Sequence, residues 1–136
     1  MKNNVHILNG ENNSKKLDKS KKTSWEYKYT STARTVLRNL WLMDFLHILM
    51  KNLHEDQSTS LGNCAKDAYS KGLGPHHPWV VRQAAKVAML ACPSRETFIQ
   101  GTGGNYDDIL FVKETVEKIK APLWMYYEKK GLDKLE

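Results

Sequence analysis

The feature that most limits the fold of this chain is an uninterrupted segment from Ala33 to Leu53. Apolar residues recur in it every three or four positions, and it contains neither glycine nor proline. This periodicity is that of an α-helix with an apolar face, and the preceding hydroxyl cluster Thr30-Ser31-Thr32 offers side chains for an N-cap. The sequence therefore predicts a long helix here, with part of its surface buried.

Proline and glycine residues divide the rest of the chain into four further predicted helices. They span about 61–73, 78–92, 94–98 and 105–130. Proline suits the first helical position, where its missing N–H is not needed, and glycine commonly ends a helix in the left-handed conformation. Because no segment alternates with the period of a strand, the predicted fold class is all-α.

The length and charge of the chain limit its organisation. With 136 residues it forms one domain at most. Residues 1–30 are polar and rich in lysine, so we expect a disordered N-terminal segment followed by a folded domain over residues 31–136. The formal charge of +6 favours an anionic partner. Since the lysines concentrate in the predicted tail and not along a helix face, we expect no nucleic-acid binding.

Several functional classes lack their characteristic residues. Cys64 and Cys92 form no C-x-x-C pair, so neither a disulfide framework nor a zinc site is indicated. We find no Ser/His/Asp set, no paired-carboxylate motif and no nucleotide loop, because the glycines at 101–104 lack the following Lys-Ser/Thr. No segment has the roughly 18 apolar residues that span a bilayer. We therefore expect a cytosolic protein that is not an enzyme and holds no metal or cofactor.

A pair of arginines occupies an unexpected position on the first predicted helix. At about 100° per residue, Arg34 and Arg38 fall on the same side as Trp41, where the core should lie. Buried guanidinium groups need a counter-charge, and a pair one turn apart can grip a single phosphate. The structural alternative is that both snorkel to solvent or pair with Asp67 or Glu96. Spacing alone favours that alternative.

A histidine and a tryptophan flank the start of the third predicted helix. His77 is predicted at the N-cap, where its ring can donate to a carbonyl or simply satisfy its own backbone. Trp79 fits two interpretations as well, since its indole can pack in the core or, if exposed, suit a membrane interface. The residue types alone do not decide whether His77 and Trp79 have a functional or a structural role.

Ordered sequence stretches in this chain resemble the glycolipid transfer protein family, and within it the branch that carries ceramide-1-phosphate. They are ARTVLR at 33–38, CAKDAY at 64–69, HPWVVR at 77–82 and CPSRETF at 92–98. Their order and spacing are similar to the family over about residues 31–136. The resemblance implies a two-layer bundle of eight helices whose layers part to admit lipid chains.

The resemblance also implies roles for individual residues. Arg34 and Arg38 correspond to the arginines that hold the lipid phosphate, His77 to the histidine that binds the sphingoid amide, and Trp79 to the tryptophan that enters the membrane interface. The sugar-carrying branch has a tryptophan at the position of Arg38. We therefore expect the chain to bind a phosphorylated sphingolipid and transfer it between membranes by a non-vesicular route, with the membrane surface as a transient partner.

The N-terminal part departs from the family. Family members have further helices before the arginine-bearing one, and an Asp and a Lys on those helices complete the headgroup site. Residues 1–30 are too short and too polar to supply them. We therefore expect a bundle that is incomplete at its N-terminus and exposes apolar faces. The alternative function is a truncated protein that docks on a membrane or on a partner, of unknown identity, without transferring lipid.

Overall fold

The computed structural model of the chain describes residues 32–135, which fold into five α-helices. In chain order they are α1 Thr32–Glu55, α2 Leu61–Gly72, α3 Trp79–Leu90, α4 Arg95–Gly101 and α5 Tyr106–Lys130. Short 3-10 helices, Gly74–His76 and Leu132–Lys134, follow α2 and α5. The described residues contain no strand, so the all-α prediction is confirmed. The segment predicted to be disordered, residues 1–30, lies outside the described residues.

The helices begin and end at residues whose chemistry favours those boundaries. The hydroxyl of Ser94 accepts a hydrogen bond from the Thr97 amide at 3.1 Å and caps α4. Asn105 caps α5 in a reciprocal capping box with Asp108. Gly131, with φ of 64°, ends α5 in the left-handed conformation that glycine adopts without steric cost. These boundaries agree with the sequence predictions.

Helix α1 lies at the centre and packs against α5 and α2. Its two halves bury different faces and belong to different hydrophobic clusters. The C-terminal half joins the first cluster, formed by Leu49, Met50, Leu53, Leu61, Cys64, Ala65, Ala68 and Ile109. The N-terminal half joins the second cluster, formed by Ala33, Leu37, Leu40, Trp41, Tyr127, Leu132 and Leu135. A single long helix thus connects two separate parts of the core.

A group of polar side chains crosses from α1 to α5 between the two clusters. We call this group the polar layer. Its members are Asp44, His47, Glu117, Lys120 and Trp124. Because these side chains pair with one another across the helix interface, they can lie there without the full cost of desolvating unpaired charges.

Helix α3 is the most exposed element of the bundle, since none of its residues is buried. It packs against α2, where the carbonyl oxygen of Met89 approaches Gly62 so closely that a Cβ at Gly62 would lie 2.7 Å from it. Its outer surface carries large apolar residues, including Leu90 at 87% exposure. The expected exposure of apolar helix faces is therefore observed.

Candidate functional site

The paired arginines lie near the start of α1, but not in the core position that the sequence predicted. Arg38 is exposed and Arg34 is half-buried. The prediction was wrong because the buried face of this half of α1 is centred on Leu37 and Leu40, and Trp41 lies at its edge on the side of the arginines. Arg34 and Arg38 lie along one edge of this face, next to Trp41. Both guanidinium groups therefore lie at the rim of the second cluster.

The C-terminal end of the described chain holds Arg34 in place. Nε of Arg34 donates a hydrogen bond to the Leu135 carbonyl at 3.2 Å. The hydroxyl of Tyr127, the last buried residue of α5, donates to the Ala33 carbonyl at 3.0 Å. Leu132 and Leu135 are themselves buried against the start of α1. Sequence reasoning missed this arrangement, because no local pattern predicts that positions so far apart meet.

The segment between α2 and α3 lies along the arginine-bearing side of α1. The ring of His76 stacks on the indole of Trp41, with centroids 3.8 Å apart and an interplanar angle of 2°. One turn further on, Gly72 meets the backbone of Phe45, where an added Cβ would lie 2.6 Å from the Phe45 nitrogen. Trp41 follows Arg38 by one turn. These contacts place the segment that carries His77 beside the same face of α1.

His77 lies directly before α3, whose N-cap is Pro78 and not the predicted His77. Proline is the N-cap because Trp79 is the first residue with helical conformation. The His77 ring is half-buried, and its Nδ1 lies 2.8 Å from the Tyr69 hydroxyl. When Tyr69 donates this hydrogen bond, Nε2 carries the ring proton and is the donor of the neutral imidazole. The ring is thus oriented by a tyrosine of α2.

Trp79 is 66% exposed, which excludes the interpretation that it is a core residue. The adjacent Val80 is exposed to a similar extent. Together they give the first turn of α3 an apolar tip beside His77. An amphipathic indole in such a position suits the boundary between a membrane and water.

The proposed carboxylate partners of the arginines have other hydrogen bonds. Asp67 accepts hydrogen bonds from Lys71 at 2.8 Å and from Asn52 at 3.0 Å, which hold its pKa below the usual range. Glu96 lies in the first turn of α4, where its own backbone N–H and the Ser94 side chain lower its pKa. Each carboxylate therefore has a local structural role.

Arg95 is a buried residue whose importance the sequence did not reveal. It is 5% exposed, and its guanidinium donates to the carbonyls of Leu53, Asp56 and Thr59 at 2.5 to 3.0 Å. It thereby fixes α4 to the loop between α1 and α2. A charged residue within the CPSRETF stretch gave no indication, from sequence alone, that it would be buried.

The polar layer connects α1 and α5 through charged hydrogen bonds. Asp44 accepts hydrogen bonds from Lys120 at 3.0 Å and from Trp124 Nε1 at 2.9 Å. Lys120 also lies 3.0 Å from Glu117. Burial alone lowers the pKa of Lys120, but its hydrogen bonds to both carboxylates outweigh burial and raise the pKa. The lysine is therefore a stable cation that bridges the two helices.

His47 is the titratable member of the polar layer near neutral pH. Its Nδ1 lies 2.6 Å from Glu117 Oε2, but no atom among residues 32–135 meets hydrogen-bond geometry at this nitrogen. Burial, followed by the charge of Lys120, lowers the pKa of His47. We conclude that the neutral imidazole is the form that the fold favours.

Two surface grooves of the described chain are lined by residues other than the paired arginines. A groove of about 230 Å³ includes Asn52 and Asp67, and another of about 300 Å³ includes Lys66 and Lys86. Within residues 32–135 no group of three or more His, Cys, Asp or Glu side chains could hold a metal ion. None of the helices in that range is long and apolar enough to cross a membrane.

Comparison with models of protein families shows to which family this chain belongs. The model of the glycolipid transfer protein family matches residues 3–104. The chain belongs to the glycolipid transfer protein family. The match includes Arg34, Arg38 and His77, and it extends into the segment for which the sequence predicted disorder. The boundary at residue 30 stays a prediction.

Relatives within this family share both sequence and fold with the chain. The ceramide-1-phosphate transfer protein of Danio rerio is 41% identical over 71 residues, which are 50% of this chain and 33% of that protein. The crystal structure of apo mouse ceramide-1-phosphate transfer protein superimposes with a TM-score of 0.69 at 26% identity, covering 78% of this chain and 54% of the mouse chain.

A lipid-bound structure confirms the fold at lower sequence identity. The human ceramide-1-phosphate transfer protein in complex with 12:0 ceramide-1-phosphate superimposes with a TM-score of 0.74 at 22% identity. The superposition covers 96% of this chain and 64% of the human chain. The described helices therefore adopt the glycolipid-transfer fold, and the chain spans about half to two thirds of these solved chains.

Proposed function

We propose that this chain binds a phosphorylated sphingolipid of the ceramide-1-phosphate type and transfers it between membranes without vesicles. The observation that carries the proposal is the position of Arg34 and Arg38, one turn apart at the rim of the second cluster, beside the segment that contains His77. A phosphorylated sphingolipid has an anionic phosphate and a neutral amide, so its headgroup needs a cationic and a neutral donor close together. The geometry supplies both.

The lipid phosphate is assigned to the arginines. Arg38 is exposed, so its planar guanidinium can reach a phosphate with two parallel hydrogen bonds. Arg34 uses Nε for the Leu135 carbonyl, which restricts the orientation of its guanidinium before a ligand arrives. Restricting a side chain in advance lowers the entropy lost on binding. The pair thus combines one oriented and one accessible guanidinium.

The lipid amide is assigned to His77. Its hydrogen bond to the Tyr69 hydroxyl supports a tautomer in which Nε2 donates, and a carbonyl oxygen is the matching acceptor. The family likeness of the HPWVVR stretch supports the same role. No covalent step is required, and we infer that the chain acts by binding and release, not by catalysis.

Membrane contact is assigned to the tip of α3. Trp79 is largely exposed beside Val80, and the net charge of +6 attracts the chain to an anionic surface. Basic residues near such a surface contribute about 1 kcal/mol each. The proposed location is the cytosol, with transient contact at membranes.

The apolar surface next to the core is assigned to the lipid chains. Helix α5 has an exposed side formed by Val112, Ile119, Leu123 and Tyr126, which recur at helical intervals. A surface of this kind is costly to leave in water. Hydrocarbon chains that lie against it would gain the free energy that its exposure now costs.

Vesicle-to-vesicle transfer of fluorescent ceramide-1-phosphate tests the proposal. We expect transfer by the wild type and its loss in Arg38→Leu, which removes the accessible guanidinium. Lys51→Leu, at an exposed position on the same helix as Arg38, is the matched control and should retain transfer. Unchanged ceramide-1-phosphate binding by Arg38→Leu would refute the assigned role.

A second candidate function follows from the exposed apolar faces of α3 and α5. The chain would then be a shortened protein that docks on a membrane or on another protein through these faces and carries no lipid. Mass spectrometry of lipid extracted from the purified protein separates the candidates. A stoichiometric sphingolipid excludes the second candidate, and its absence together with absent transfer excludes the first.

A further inference from the structure

Trp41 contains a hydrogen-bond donor that the described chain does not use. Its side chain is buried, at 5% exposure, yet Nε1 has no hydrogen-bond partner among residues 32–135. Buried donors in proteins are nearly always paired, because an unpaired one loses its hydrogen bonds to water without replacement. Trp124 shows the usual situation, since its Nε1 donates to Asp44. The indole of Trp41 therefore needs an explanation.

The contact between Trp41 and His76 does not satisfy this donor. The rings are parallel and 3.8 Å apart, so His76 covers the face of the indole. An indole N–H points outward in the plane of its ring, and a ring stacked on the face cannot accept that hydrogen bond. The stack fixes the plane of the indole, and Nε1 itself has almost no accessible surface, so an acceptor reaches it only when the packing around this edge opens.

Trp41 extends the row of Arg34 and Arg38 by one turn. It follows Arg38 by three positions and Arg34 by seven, so the three residues share one side of α1. At 1.5 Å per residue, Trp41 lies about 4–5 Å beyond Arg38 along the helix axis. At the next turn, α2 covers this side, because Gly72 touches the backbone of Phe45. Trp41 is thus the last position of the row before α2.

We infer that Trp41 is a further ligand-binding residue, whose Nε1 donates to an oxygen of the sphingoid base next to the phosphate. This inference rests on the proposed function. In a ceramide phosphate the phosphate is on C1, the amide on C2 and a hydroxyl on C3, so these oxygens lie within about one helical turn of the phosphate. A phosphate bound at Arg38 therefore places the amide and C3 hydroxyl oxygens at the position of Trp41 along the helix axis. Because the amide oxygen is assigned to His77, the C3 hydroxyl oxygen is the acceptor for Trp41.

Nuclear magnetic resonance of the ¹⁵N-labelled full chain tests this inference on the unaltered binding site, and a variant is needed only to assign the signal. The chain has four tryptophans, and the Trp41 indole signal is the one missing from the spectrum of Trp41→Phe. We expect short-chain ceramide-1-phosphate to move this signal downfield. Dodecyl phosphate, which has a phosphate and a chain but neither amide nor C3 hydroxyl, should not. A Trp41 signal that stays in place, or that moves equally with both ligands, overturns the inference.

Equilibrium binding provides an independent test. Trp41→Phe keeps an aromatic ring to stack on His76 but lacks the N–H, and we expect about five- to tenfold weaker binding of ceramide-1-phosphate with unchanged binding of dodecyl phosphate. Trp124→Phe is the matched control, because it loses an indole N–H outside the row. Equal affinity of Trp41→Phe and wild type rejects the inference while the proposed function stands. A wild type that binds no ceramide-1-phosphate rejects both.

Discussion

Arg34 and Leu135, 101 positions apart, are joined by a hydrogen bond of 3.2 Å from the guanidinium Nε to the backbone carbonyl. The contact exists because α5 runs back along α1 and Gly131 turns the chain over the start of α1. Leu132 and Leu135 then fill the second cluster. One of the two candidate phosphate ligands is therefore positioned by the end of the described chain.

Tyr127→Phe tests how firmly α5 is attached to the start of α1. The hydroxyl of Tyr127 donates to the Ala33 carbonyl at 3.0 Å in a buried position. Its removal leaves that carbonyl without its donor, and we expect a loss of about 1–2 kcal/mol in the free energy of unfolding. Chemical denaturation measures the loss. Tyr126→Phe, at an exposed neighbouring position, is the control and should change little; equal effects of the two substitutions would contradict the packing.

Arg95→Met tests the attachment of α4. Methionine keeps much of the volume but leaves the carbonyls of Leu53, Asp56 and Thr59 without their charged donor. We expect the free energy of unfolding to fall by about 2–4 kcal/mol. Urea unfolding of Arg82→Met, at an exposed site on α3, should differ from wild type by less than about 0.5 kcal/mol. If Arg95→Met is as stable as Arg82→Met, the guanidinium does not hold the loop.

Gly72→Ala tests the close approach of α2 to α1. The added Cβ would lie 2.6 Å from the backbone nitrogen of Phe45, and a backbone atom cannot turn aside as a flexible side chain can. We expect a cost of about 1–3 kcal/mol in unfolding free energy and a lower melting temperature. Gly101→Ala, where no atom lies within 4 Å of the new Cβ, should be neutral or slightly stabilising. A tolerated Gly72→Ala would show that the helices are further apart.

The sequence predicted the helices well because their signals are local. The caps Ser94 and Asn105 and the terminator Gly131 each act within one turn of chain, and all three lie where the structure places helix boundaries. The burial of Arg34 and Arg38 was predicted less well. It depended on which face of α1 meets α5 and the C-terminal segment, and that choice is made by residues almost 100 positions away.

His47 makes stability depend on pH through the polar layer. Burial and the charges of Lys120 and Lys113 lower its pKa from 6.5, while Glu117 and Asp44 oppose this. The pKa of His47 is lower in the folded chain than in the unfolded chain. Its contribution to the free energy of unfolding is therefore complete above about pH 6.5, and it is lost as the pH falls from that value through the folded pKa. We expect wild type to lose stability between pH 7.5 and 5.5.

The substitution His47→Gln isolates that contribution, since glutamine is polar but does not titrate. We expect its unfolding free energy to change less than that of wild type over the same pH interval, as measured by urea denaturation at each pH. The carboxylate of Glu117 stays ionised throughout this interval, because its hydrogen bond to Lys120 lowers its pKa. An identical pH dependence in both proteins would remove His47 as the cause.

The residues of the candidate site could be predicted from the sequence, but the contacts between them could not. Family likeness selected Arg34, Arg38, His77 and Trp79 as a set. The contacts that orient them could not be predicted from the sequence, because Tyr69 reaches His77 and Leu135 reaches Arg34 only after the helices pack. A pattern of residue types shows which groups are present, whereas tertiary packing decides which of their atoms meet.

Headgroup selectivity of Arg38 is the most direct test of phosphosphingolipid binding. The measurement is equilibrium binding of ceramide-1-phosphate and of a monoglycosylceramide with the same acyl chain, by wild type, Arg38→Leu and the control Lys51→Leu. We expect wild type and control to prefer the phosphate lipid, and Arg38→Leu to lose at least about tenfold of that preference, because hydrogen bonds to charged groups contribute about 1.5–3 kcal/mol. A wild type that binds both lipids equally, or an Arg38→Leu variant that keeps the full preference, would contradict the assignment.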